Sequence, residues 1–203
     1  MKFILCYEGE IRARGRKSTI ENEHAIRKEF HRQLKVLYSQ EPFNIHPAAI
    51  CWNKSDSTDG CNDPETQLYL RMQSTLAGYR FLPFISDKIH LHARLDILFL
   101  KPVVKESSIA SYFDIDNKVK TLIDAMTIPP NKEKIPTGTK PEVGEDPFLC
   151  VLSDDKLVTE LNVRTEKWLV DLGQEGRNNT FKVLIEVTIN ASRGTPFTGE
   201  LAI

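Results

Sequence analysis

The residues of this chain best equipped for chemistry are two aspartates in a D-x-D, Asp114 and Asp116, with Lys120 four positions further on, and a separate D-D pair, Asp154 and Asp155. Carboxylate oxygens are hard donors. A hard divalent cation such as Mg²⁺ takes oxygen ligands in near-octahedral geometry and keeps several of its waters, so a few aspartates on separate elements, left partly open, suit it. Lysine adds a compact point charge beside such an ion. Phosphodiester chemistry is therefore the first reading. Each residue also has a plainer role. Two acids ahead of a helix serve as an N-cap and a dipole-stabilising residue. Lys120 is an i, i+4 partner for Asp116, and D-D is a turn.

The elements that must position these residues are legible from periodicity. Residues 2–11 read as a first strand, which leads into the basic arm Arg12, Arg14, Arg16 and Lys17. Ser18 and Glu21 have capping-box spacing, and Ile26, Phe30, Leu34, Leu37 and Tyr38 then recur at helical spacing, so a helix is expected to about Ser39. Residues 40–87 read as an insertion, with a turn-rich segment around Gly60 and a short helix over 65–76. From Ile89 to Leu100 the alternation is that of a strand, with Ile89, Leu91, Ala93, Leu95, Ile97 and Phe99 on one face. Val119, Leu122, Ile123 and Met126 predict a helix over 116–126, whose edge carries Asp116, Lys120 and Asp124. Residues 127–148, rich in Pro, Gly, Lys and Glu, are too long for an ordinary connection and read as a second insertion, a mobile or functional loop. A short apolar run over 148–152, a strand over 157–164 and a final strand marked by Phe181, Val183, Ile185, Val187 and Ile189 complete the pattern. Strands and helices mix without a βαβ period. The expected class is α+β (mixed α/β): one domain over 1–203, with a single mixed sheet packed against two main helices.

Bulk properties narrow the function classes. The chain has 203 residues, 40% hydrophobic and 27% charged, which is ordinary globular composition. No apolar run reaches a membrane span. The apolar stretch over 3–7 stops at Glu8, too short for the core of a secretory signal, so a cytoplasmic location is expected. Cys6, Cys51, Cys61 and Cys150 form no C-x-x-C and read as reduced. Net charge is −1, yet residues 1–40 hold nine Lys/Arg against five Asp/Glu, so a polyanion partner must be met by a local basic patch. Arg12, Arg14, Arg16 and Lys17 are its candidates, as phosphate contacts or as a solvated arm.

Taken together, the runs over 114–126 and 152–164 resemble the RusA-type Holliday junction resolvases, whose pattern is D-x-D-N-x-x-K-x-x-x-D-A-L followed by D-D and an alternating strand. The resemblance implies a small homodimeric, Mg²⁺-dependent endonuclease that cuts branched DNA at four-way junctions. By position, Asp114, Asp116 and Asp155 match the catalytic metal ligands, Lys120 the catalytic lysine, and Asp154 the neighbouring acid of the pair. The two insertions and the slightly acidic balance depart from the compact family members. From the residue types, Lys120 would offset charge developing on the phosphate, and Asn117 would orient the first helical turn.

Other constellations carry less. His90 and His92 share a strand face in the manner of a transition-metal site, but half-buried strand histidines are far commoner. Residues 55–66 carry acids around Gly60 like a calcium loop, yet Thr66 stands where a bidentate Glu is needed. A sugar-nucleotide transferase would use the D-x-D, but nothing before Asp114 resembles a nucleotide-binding turn. A nuclease-derived protein that binds DNA or a protein partner without cutting is the alternative from another class.

Overall fold

The computed structural model describes residues 1–12, 17–40, 72–102, 114–170 and 180–193, with the side chains of Lys17 and Ser18 outside that description. The main sheet is built from β1 (Lys2–Glu10), β4 (Leu91–Pro102), β6 (Val158–Trp168) and β7 (Thr180–Ala191), in the order β1-β7-β4-β6. β7 pairs antiparallel with both β1 and β4, whereas β4 and β6 run parallel. Strict alternation fixes which face is inside: Leu91, Ala93, Leu95, Ile97 and Phe99 are buried beside Phe181, Val183, Ile185, Val187 and Ile189. Each such side chain removed from water contributes about 2 kcal/mol, so a one-residue slip of register is strongly disfavoured.

Two helices pack on that inner face. The first, α1 (Lys17–Tyr38), buries Ile26, Phe30 and Leu34, as its periodicity predicts. The second, α2 (Ile115–Met126), buries Val119, Leu122, Ala125 and Met126. It is capped by Asp114, whose carboxylate accepts from the Asn117 backbone N–H, and it stops at Thr127 in extended conformation, two residues before Pro129.

A second, three-stranded sheet departs from the single sheet expected. It is built from β2 (Ser74–Leu76), β3 (Tyr79–Ile85) and β5 (Phe148–Leu152), in the order β2-β3-β5. β2 and β3 form a hairpin inside the stretch read as an insertion, and Ser74–Leu76 is strand where a short helix was expected. β3 then pairs in parallel with β5. Both faces of this small sheet are apolar: Leu82, Phe84, Leu149 and Val151 join the main core, while Tyr79, Phe81, Phe148 and Cys150 form a second cluster with Ile135. A strand buried on both faces reads as a continuous apolar run, which hides its sheet partner from periodicity.

Residues 127–148 close over that second cluster, with one 3₁₀ turn at Lys132–Lys134. They are anchored rather than mobile: Lys28 reaches Glu142 and Glu145 at 2.7 and 3.0 Å, Arg80 reaches Asp146 at 2.8 Å, and Lys35 donates to the Gly144 carbonyl. The strand expected from Ile89 starts at Leu91, because Asp87–Ile89 is a 3₁₀ turn and His90 is left-handed at φ 56°. His90 and His92 therefore do not share a strand face. No helix among the described residues is long and apolar enough to cross a membrane.

Candidate active site

At one end of the main sheet β1 and β4 finish and β7 begins, and the D-x-D lies there. Both oxygens of Asp114 accept from Asn117, one from the backbone N–H at 3.4 Å and one from the side-chain amide, so Asn117 does orient the first turn. These bonds hold the Asp114 carboxyl below the usual carboxylate range and keep it ionised at neutral pH. Asp114, Asp116 and Lys120 are all exposed.

Lys118, on which the sequence reading placed no role, ties this end together. Its stem is buried, its Nζ donates to the Ile11 carbonyl at 2.8 Å, and it sits 4.7 Å from the centre of the Phe181 ring. Burial lowers its pKa, which the nearby charges of Asp114 and Glu10 partly counter. One turn on, the Thr121 hydroxyl shares its proton between the Asn117 carbonyl at 2.9 Å and the Arg12 carbonyl at 3.2 Å, and the Arg12 N–H is taken by Asn22. The root of the basic arm is thereby pinned to the D-x-D helix. Arg12 itself lies against Glu10 at 2.8 Å, which raises its pKa and offsets part of its charge. Arg14, Arg16 and the Lys17 side chain lie outside the described residues.

The D-D pair lies at the opposite end. Leu152 bridges Thr127, just past the C-terminus of α2, and Ser153 donates to the Ile85 carbonyl. Asp154 caps the 3₁₀ turn Asp155–Leu157 by accepting from the Lys156 N–H at 3.0 Å, and β6 then starts in register with Ala93 near the beginning of β4. From Asp116 to the end of α2 is about 15 Å at 1.5 Å per residue. Along β4, from Ala93 to Lys101, is about 26 Å. Ligands of one Mg²⁺ lie about 2 Å from it. Asp114 and Asp116 are thus brought together, and Asp155 and Asp154 are not brought to them within one chain. Among the described residues no three His, Cys, Asp or Glu side chains converge to hold a metal ion. Asp124 is likewise drawn away from the D-x-D end, towards Lys134 at 3.9 Å.

A second polar constellation lies buried under residues 127–148, and α1 supplies most of it. Arg27, 1% exposed, donates to Glu23 at 2.9 Å and to the Asp124 carbonyl at 3.0 Å. His24 stands between Arg27 and Tyr79, with its pKa pushed down to about 4 by burial and then by the cations Arg27 and Lys28. His31 stacks on Phe148 at 4.5 Å and accepts the Leu149 N–H through Nδ1 at 2.9 Å, which leaves Nε2 to donate to the Gly144 carbonyl. Charged side chains are rarely buried without partners, so this network fixes α1 to the loop and to β5. The signal available in the sequence was the run of His24, Arg27 and His31 on the face of α1 beside the stripe of Ile26, Phe30 and Leu34. No protein-family model matches this chain, and no curated protein or solved structure is significantly similar to it.

Proposed function

We propose that the protein is a RusA-like, Mg²⁺-dependent endodeoxyribonuclease selective for branched DNA such as four-way junctions, working as a homodimer in the cytoplasm. The observation that carries this reading is the coupling of Lys118 to Ile11 and of Thr121 to Arg12, which sets the root of the basic arm beside the D-x-D. A phosphate held by Arg12, Arg14, Arg16 and Lys17 would lie next to Asp114 and Asp116, and Lys120 would face it as a point charge. The donors are all carboxylate oxygens, which fits a hard cation, and Mg²⁺ is commonly held by one or two carboxylates with phosphate and water completing its shell. The three-carboxylate set does not fit one metal in a single chain, so Asp114 and Asp116 are the primary ligands and Asp155 is unavailable to them in the monomer.

The test is nicking of a labelled four-way junction and of its linear arms, with Mg²⁺ and with EDTA. Cleavage of the junction that needs Mg²⁺ and disappears in Asp116→Asn supports the reading. Junction binding without cleavage supports the alternative, a nuclease-derived protein that holds DNA or a protein partner, which the distance between D-D and D-x-D favours.

A further inference from the structure

The outer edge of β1 is met by side chains of α1 instead of by another strand. Gln33 treats Cys6 as a paired strand would: its Oε1 accepts the Cys6 N–H at 2.8 Å and its Nε2 donates to the Cys6 carbonyl at 2.6 Å. Asn22 donates to the Glu10 carbonyl at 2.8 Å, joined there by the Tyr7 hydroxyl at 2.9 Å. Backbone groups alternate in direction along an antiparallel pair, so Cys6, Glu8 and Glu10 turn outward while Tyr7 and Gly9 bond to β7. Among the described residues, no side chain takes the outward N–H and C=O of Glu8.

The helix explains the gap. Asn22, Ala25, Glu29 and Gln33 recur at i, i+3, i+7 and i+11 and form one stripe of α1. From Asn22 to Gln33 is about 16 Å along the helix, and from Glu10 to Cys6 about 14 Å along the strand. Helix stripe and strand edge therefore run side by side, which sets Ala25 and Glu29 opposite Glu8. Ala25 is too short to reach across. Glu29 is turned away, with Oε2 on Arg32 at 2.8 Å and Oε1 3.3 Å from Gln33 Nε2. What is left is a cleft of about 390 Å³ lined by Cys6, Tyr7, Glu8, Ala25, Glu29 and Gln33. Small-ligand sites begin at roughly 300 Å³. Tyr7 lies along this cleft, and a Cβ on Gly9 would stand 2.7 Å from its hydroxyl, so glycine is what lets the ring lie there.

We propose that this cleft binds a small planar ligand whose edge carries an acceptor beside an N–H donor: an aromatic carboxamide, or an amino-substituted nitrogen heterocycle such as a nucleobase. The carboxamide of Gln33 shows, on the neighbouring outward residue, the chemistry that this strand edge accepts. Glu8 offers the same donor and acceptor unoccupied. A carboxylate has no donor for the Glu8 carbonyl, and a guanidinium has no acceptor for the Glu8 N–H. A phosphate is not favoured either, because Lys182 lies against Glu8 at 3.8 Å and Arg32 against Glu29, which leaves no surplus positive charge at the rim. The Tyr7 ring and the Ala25 methyl give the ligand's ring an apolar wall. The site is separate from the D-x-D: Glu8 stands three residues, about 10 Å, from Ile11 along the chain.

Titration of the ¹⁵N-labelled full chain with nicotinamide, cytidine, benzoate and benzamidine, followed at the amide resonance of Glu8, tests the proposal. Nicotinamide and cytidine should move that resonance saturably, with a dissociation constant of about 1 mM for ligands of this size. Benzoate lacks the donor and benzamidine the acceptor, so each leaves one backbone group unpaired and should bind about tenfold or more weakly. The tighter of the first two identifies the source, carboxamide or heterocycle. Ala25→Leu, at an exposed helical position, fills the cleft without entering the core. It should abolish both responses and leave the urea midpoint unchanged. No saturable shift of Glu8 at about 10 mM ligand, tenfold above the expected constant, overturns the site. Equal responses to all four compounds, or responses that survive Ala25→Leu, overturn it as well.

Discussion

At the scale of single residues, two lysines two positions apart divide structure from chemistry. Lys120 is exposed at the D-x-D end, with no described ion pair. If it meets charge that develops only in the transition state, Lys120→Ala should bind junction DNA nearly as the wild type does and cut it roughly 10² to 10³ times more slowly. Equal losses in affinity and rate, from single-turnover kinetics and gel shift, would make it a plain phosphate contact. Lys118 is the structural member, because its Nζ supplies the hydrogen bond to the Ile11 carbonyl. Lys118→Met keeps the stem over Phe181 and leaves that carbonyl unsatisfied, which should cost about 1–3 kcal/mol in urea unfolding. The variant should also loosen the root of the basic arm. Asp116→Asn changes charge without shape, so it should abolish cleavage while the unfolding midpoint stays nearly unchanged.

At the scale of elements, the contact between α1, β5 and residues 127–148 depends on neutral imidazoles. His31 spends Nδ1 as an acceptor for Leu149 and Nε2 as a donor to Gly144, so a second proton removes one of those bonds. Burial lowers the pKa of His31, and that of His24 to about 4. For a histidine whose folded pKa lies below its unfolded value of about 6.5, the unfolded state binds more protons in acid. The contribution is therefore complete above pH 6.5 and is lost as the pH falls towards 4. For His24 the loss is of order 3 kcal/mol. Urea midpoints should fall between pH 7 and pH 4.5, and His24→Leu should flatten that fall. Proteolysis within residues 136–145 should rise over the same window, because the loop is held by the same histidines. A pH-independent midpoint would show that the network tolerates the added charge.

At the scale of the whole molecule, a net charge of −1 means that, on the proposed nuclease reading, DNA affinity must come from a local basic segment such as residues 12–17. Each phosphate neutralised contributes about −0.9 to the slope of log affinity against log salt. Replacing Arg12, Arg14 and Arg16 together with Ala should flatten that slope by up to roughly three units and weaken binding to every DNA shape alike. Arg12 already spends part of its charge on Glu10, so its own share should be the smallest of the three. An unchanged slope would move the DNA surface elsewhere on the molecule.

What the sequence determined by itself was every element with one buried face. α2 carries its apolar stripe and its cap within 13 residues of one another, and β4 and β7 alternate cleanly, so local periodicity reports their orientation towards the core. The pairing of Asp114 with Asp116 and the role of Asn117 are equally local. Tertiary structure alone decided whatever depends on contacts remote in sequence. α1 has a second buried face because Arg27 meets Asp124 and His31 meets Leu149, and polar residues there look in the sequence like a solvated surface. β3 and β5 find each other across more than 60 residues, through runs too uniformly apolar to declare a partner. The position of the D-D pair was decided in the same way. A motif specifies which residues are available, but α2 and the parallel pairing of β4 with β6 set the distance between its halves, and they carry Asp155 to the far end of the sheet from Asp116.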